Sequence, residues 1–143
     1  MLRNLAVGTV LVALTVLIHT AGLMGIAWTT PRLARWLRLH SHDVGRTLVM
    51  TGTVVGLLGL LTLEVWSWAV AYDLLEVTRG FEDALSLSTD VFSTIGYGDL
   101  PFDASWRLLI ALEGINGFLM IGWSTAYLVR AGTVHGPFRS DHF

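Results

Sequence analysis

The chain has 143 residues, 53% of them hydrophobic and only 14% charged, with a formal net charge of −2. A soluble domain of this size carries about a quarter charged residues, so the composition indicates a membrane protein, and the small net charge gives no footing for a nucleic-acid partner. Without cysteine or lysine there is no disulfide framework, zinc–thiolate site, Schiff base or P-loop lysine, and no nucleophile or zincin spacing occurs, so neither catalytic residues nor a cofactor is expected.

The first span runs over about residues 5–28, long enough for a bilayer that takes about 20 apolar residues. A secretory signal over Met1–Thr20 is the competing reading. Its removal would leave an arginine-rich loop outside, and the apolar run is longer than such signals carry, so a retained helix is expected. His19, alone on this span, reads as a hydrogen-bonded packing residue. Residues 30–46 form a basic segment, with Thr30 as a helix cap and Pro31 at the first helical position. Arg32, Arg35 and Arg38 occupy one face and Leu33, Trp36, Leu37 and His40 another, as in an amphipathic helix lying under the inner leaflet. These arginines follow the span rather than sitting inside it, which argues against a voltage sensor.

The second span covers about residues 47–75. Its Gly52 and Gly56 offer a small-residue face for close contact, with Gly22 and Gly25 of the first span as candidate partners. Residues 81–93 show helical periodicity but are too short to cross, and read as a re-entrant helix. The stretch FSTIGYGDL follows at residues 92–100. The third span covers about residues 105–130, and a short tail occupies 131–143. Trp28, Trp66, Trp68, Tyr72 and Trp106 fall near predicted span ends, where aromatic belts form.

Arginine placement sets the orientation. Arg32, Arg35, Arg38 and Arg46 lie between the first two spans, and Arg130 and Arg139 follow the third, which makes both regions cytoplasmic. The N-terminus and the acidic region 73–104 then face outward.

Non-helical backbone at membrane depth survives only when buried in protein or lining a watery path. Thr94-Ile95-Gly96-Tyr97-Gly98 can run extended with every carbonyl on one side if the backbone alternates in hand, and Gly96 and Gly98 permit that. Such a ladder, with the Thr94 hydroxyl at its inner end, can replace the hydration shell of a weakly hydrated monovalent cation. One chain supplies one wall, so a homotetramer is expected. The helix at 81–93 becomes a pore helix with the negative end of its dipole toward the axis.

The stretch Thr94–Asp99, TIGYGD, resembles the selectivity-filter signature of the potassium-channel pore-domain superfamily. The resemblance covers roughly Thr47 to Arg130, with an additional helix in front. It implies an all-α membrane protein of three transmembrane helices, a re-entrant pore helix and an extended filter in a tetrameric pore. It implies K+ held at Thr94, Ile95, Gly96 and Tyr97, and passive conduction across a cell membrane. Asp99 matches the family's acidic residue at the outer end of the filter, and Asp90 a carboxyl position behind it. The family's inner-helix hinge would be Gly114 or Gly117, with small-residue helix packing as the alternative. A weakly selective cation channel, or a non-conducting cation-binding membrane subunit, remains the other reading.

On the third span Asn116, Met120, Ser124 and Tyr127 recur at helical spacing and form a mildly polar stripe, suited to a water-filled cavity or to packing on a neighbour. Glu64 and Glu113 are costly in hydrocarbon. Each is expected to be either a protonated hydrogen-bonding group reaching Ser86 or Ser88, or a pH-sensitive gating element.

Overall fold

A computed structural model describes residues 1–36, 43–96 and 102–135. Helix α1 spans Leu2–Trp36, α2 Asp43–Leu74, α3 Phe81–Phe92 and α4 Arg107–His135, with a 3-10 turn over Ala104–Trp106 leading into α4. Helices α1, α2 and α4 are each long and apolar enough to cross a membrane. The chain is thus an all-α membrane protein, as its composition implies.

Helix α1 does not stop near Trp28. It continues through Pro31 to Trp36, so Thr30 is no cap: its hydroxyl donates to the Ile26 carbonyl at 2.7 Å. Proline withholds the N–H that would bond the Ala27 carbonyl. Neighbouring side chains hold the turn closed instead. Thr29 donates to Gly25 O at 2.8 Å, and Arg32 donates to Trp28 O at 2.8 Å with its guanidinium stacked over the Trp28 ring. Residues 37–42 of the expected amphipathic segment lie outside the described residues.

The first turn of α3 carries Glu82 and Asp83, which complement the positive end of the helix dipole. The connection before it folds tightly. Glu76 adopts φ 55°, Val77 N donates to Tyr72 O at 2.9 Å, and Asp103 N donates to Val77 O at 3.0 Å. This last bond ties the α2–α3 connection to the start of α4. At the same end, Asn4 donates to Ser105 O at 2.7 Å and Arg3 sits over the Trp106 ring. The N-terminus therefore lies on the same side as the α3 connections.

The main core gathers Trp68 and Tyr72 of α2, Ala84, Leu87, Val91 and Phe92 of α3, and Leu109, Ile110 and Met120 of α4. A smaller cluster of Leu23, Leu57 and Leu60 joins α1 to α2 at the other end. Trp68, Tyr72 and Trp106 are buried, so they are not belt residues; only Trp28 and Trp66 of the expected belt are exposed. Trp68 and Tyr72 stand one turn apart on the face of α2 that meets α3, where packing claims them. Between helices in lipid the hydrophobic driving force is absent, and van der Waals fit and hydrogen bonds decide association. Gly22 accordingly meets Leu60, and Gly56 meets Ile26, whereas Gly25 and Gly52 meet nothing. The expected four-glycine contact is half realised, as glycine against a larger side chain.

Candidate functional site

The last carbonyls of a helix lack intrahelical donors. Here the residues after α3 supply them. Ser93 N donates to Thr89 O and Thr94 N to Val91 O, both at 3.1 Å; Ile95 N and Gly96 N both donate to Asp90 O at 3.1 Å. The Ser93 hydroxyl donates to the same Asp90 carbonyl at 3.3 Å. Thr94–Gly96 is consequently a hydrogen-bonded turn folded onto the end of α3, not the extended run expected from its start. The amide donors are taken up by carbonyls that would otherwise be bare.

The backbone hand nonetheless alternates. Thr94 has φ +64° and Gly96 φ +100°, while Ile95 between them is not in the positive region. A β-branched residue at positive φ is an outlier that costs about 1–3 kcal/mol and persists only where its surroundings over-determine it. Here the three bonds to the α3 carbonyls do so. Ile95 is 81% exposed. Tyr97, Gly98 and Asp99 lie outside the described residues, so the expected proximity of Asp90 to Asp99 does too. Asp90 itself is half-buried, and its main-chain oxygen organises the turn.

Helix α4 supports this turn from beside it. A Cβ placed on Gly117 would stand 2.3 Å from Phe92 O and 2.8 Å from Phe92 Cα. The end of α3 therefore rests directly on the α4 backbone, and only glycine fits. Gly114 is different, because a Cβ there would meet Val91 at 3.7 Å, an ordinary contact. Of the two candidate hinge glycines, close packing requires Gly117 and leaves Gly114 free of that demand. Val91, Thr94, Gly96, Ile110, Ala111, Gly114, Ile115 and Phe118 line an open depression of about 440 Å³.

Glu113 is fully buried and joins three helices. The Tyr72 hydroxyl donates to Glu113 Oε2. Ser88 Oγ lies 2.5 Å from Glu113 Oε1 and 2.9 Å from the Val65 carbonyl. One serine hydrogen serves one acceptor, so a protonated Glu113 would complete the set. The expected carboxyl–Ser88 bond is present, made by Glu113. Tyr72, read from the sequence as a belt residue, is the missed partner.

Glu64 takes no serine. It lies 2.8 Å from His19 Nδ1 of α1, and both side chains are wholly buried. The sequence singled out each residue without joining them, although two ionisable groups inside apolar spans are natural partners. Asn116 and Met120 are buried as well, and Asn116 Nδ2 donates to Thr15 Oγ1 of α1 at 3.0 Å. The polar stripe of α4 thus turns toward α1 rather than a cavity, and Ile115, Phe118 and Leu119 hold the exposed face.

Comparison with known proteins extends this picture. The chain is 31% identical over 144 residues to the uncharacterized membrane protein YdjJ of Bacillus subtilis (strain 168), a match covering 79% of this chain and 41% of that relative. The chain thus spans less than half the length of that protein. No solved structure matches it. Residues 58–133, from the middle of α2 through α3 and the Thr94–Gly96 turn almost to the end of α4, match the ion channel family. The chain belongs to the ion channel family, and this stretch is a small pore domain of the two-transmembrane, potassium-channel type.

Proposed function

We propose that the protein is a potassium-selective channel, conducting passively through a filter built from Thr94–Asp99 of four identical chains. The observation that carries this is the backbone at the end of α3. A short helix delivers Thr94, Ile95 and Gly96 in alternating hand, inside a stretch that matches the ion channel family. Carbonyls of Thr94, Ile95, Gly96 and Tyr97 would replace water around K+. Gly98 would continue the alternation, and Asp90 and Asp99 would support the filter from behind and above.

Several features support a ring of four copies. Ile95, Ile115, Phe118 and Leu119 are exposed on one chain, and closed cyclic symmetry gives such apolar faces a partner. The depression below Thr94 and Gly96 would become the wall of a central cavity. The carbonyl end of α3 beside it would favour a cation. The setting is a cell membrane with its lipid, the N-terminus outside and the C-terminus cytoplasmic. The arginine distribution supports that orientation, as do the Asn4 and Arg3 contacts that put the N-terminus beside the α3 connections.

Purified protein in liposomes is expected to pass K+, to exclude Na+ and to be blocked by barium. Sodium flux equal to potassium flux favours a weakly selective cation channel; absent flux favours a non-conducting subunit. Gly96→Ala is expected to abolish flux, because alanine resists φ +100°. Unchanged selective flux in that variant would refute the filter assignment.

A further inference from the structure

We propose that His19 and Glu64 together form a proton-binding site, and that the one proton it holds fastens α1 to the pore domain. The proposal goes beyond conduction and rests on helix packing alone.

The pair joins α1 to α2 at mid-span, with both side chains wholly buried. The Trp123 ring of α4 lies against the imidazole, centroids 5.2 Å apart and planes at 41°. Three helices therefore meet at one ionisable pair. Glu64 falls within the stretch that matches the ion channel family, and His19 outside it, so the bond links the additional helix to the channel domain.

Proton accounting fixes what the pair must hold. Neutral imidazole with carboxylate carries −1. One further proton makes the pair neutral, whether as imidazole with carboxylic acid or as imidazolium with carboxylate. A second further proton makes it +1. An unbalanced buried charge costs several kcal/mol, so the one-proton state is the one compatible with packed helices.

Among the described residues no other charge compensates. On α1, the groups flanking His19 along the contact are Thr15 and Leu23, and the charged Arg3 and Arg32 stand near the helix ends. On α2, Glu64 is the only ionisable group between Arg46 and Tyr72. On α4, Tyr127 lies one turn beyond Trp123. Glu113 is engaged with Tyr72 and Ser88, and through Ser88, which also reaches the carbonyl of Val65 beside Glu64, it is a second carboxyl near the pair, held by its own hydrogen bonds. The polar neighbours Asn116 and Ser124 are uncharged. Arg130 lies nearly two turns beyond Trp123 and is exposed. Helix α3 brings an uncharged group here, Ser88, which lies between Glu113 and the Val65 carbonyl, and its acids lie at Glu82, Asp83 and Asp90.

His19 Nε2 and Glu64 Oε2 have no hydrogen-bond partner among the described residues. Buried polar atoms of this kind normally bind water, and a water there would give the proton a carrier. Because α1 also packs on α4 through Thr15 and Asn116, losing the proton would loosen that contact as well.

The absence of cysteine makes a direct test clean. A Cβ on Gly8 of α1 would stand 3.6 Å from Leu112 Cβ of α4, within the span of a disulfide. Full-length protein carrying Gly8→Cys and Leu112→Cys, in lipid with an oxidised-glutathione buffer, reports α1 docking by cross-link yield. Thiol reactivity itself rises with pH, so each pH is compared with the same cysteine pair carrying Glu64→Gln, which imitates the neutral pair. The wild-type to Glu64→Gln ratio is expected to fall about tenfold from mildly acidic to alkaline pH, as the buried charge appears. A ratio that stays flat overturns the proposal. His19→Phe with Glu64→Leu, an apolar replacement, provides a second proton-independent background. If neither background cross-links at any pH, neutrality is not what docks α1, and the proposal fails. The readout involves no ion flux, so its failure and the failure of the channel assignment are separate results.

Discussion

Glu113 and Glu64 are both wholly buried carboxyls on membrane-spanning helices, and the chain treats them differently. Glu113 has partners at both oxygens, Tyr72 from α2 and Ser88 from α3. Glu64 has one partner among the described residues, His19, at a single oxygen. A carboxyl satisfied on both sides gains nothing by releasing its neighbours and acts as a joint. One that shares a single bond with another titratable group has a second state available to it. The contrast separates a joint, where α3 is set against α2 and α4, from a seam, where α1 meets α2.

Breaking the joint has the largest expected effect. Glu113→Ala strands the Tyr72 hydroxyl and leaves a cavity, and at about 1–3 kcal/mol for an unsatisfied buried group the total loss is about 3 kcal/mol. Thermal unfolding in detergent micelles measures it, and Glu113→Gln should recover a large part because the amide both accepts and donates. A loss for Glu113→Ala no larger than for an exposed substitution would remove the joint from the account.

Gly117→Ala follows, at about 1–3 kcal/mol for forced overpacking, since its Cβ meets the Phe92 main chain rather than a movable side chain. Gly114→Ala is the matched control, because its Cβ meets only ordinary contacts; a change of about 0.5 kcal/mol or less is expected. Equal effects at the two sites would show that α3 does not rest on α4 at Gly117.

At the seam the expected change is smaller. Replacing His19 and Glu64 together by Phe and Leu should shift stability by about 1 kcal/mol in either direction, as buried ion pairs often exchange for apolar groups at little cost. Removing Glu64 alone by Leu should cost more, because His19 loses its partner. Additive effects of the two single changes would show that the pair is not coupled.

The smallest effect belongs to the surface. The Ser105 amide and hydroxyl bond to Asp103 at 2.8 and 2.9 Å and hold its carboxyl below the usual range. A carboxyl depressed in the folded state adds stability that is present above its unfolded pKa and fades as pH falls through the folded value. Asp103→Asn should therefore remove a slight acid-side slope from the unfolding profile and leave neutral pH almost untouched.

The spans and α3 were legible because hydropathy and length are properties of one segment at a time. Partners were not, because the register of one helix against another is set by side chains distant in sequence. His19 and Glu64 are 45 residues apart, and each looked solitary. Trp68 and Tyr72 sat where a belt is expected, but the same position also faces α3, and packing prevailed. Pro31 suggested a break, which Thr29, Thr30 and Arg32 prevented by side-chain bonds to the preceding turn. Thr94 looked extended beside its glycines; the bare carbonyls of α3 drew its amide instead. In Asn116 and Met120 helical spacing gave the correct stripe, but spacing carries no information on which neighbour the stripe meets.

A structure of the protein in native lipid and potassium would test the central claim most directly. It is expected to show four copies around an axis, with ion density between the main-chain oxygens of Thr94, Ile95, Gly96 and Tyr97. Isolated or paired chains, or an axis without ions in saturating potassium, would contradict it.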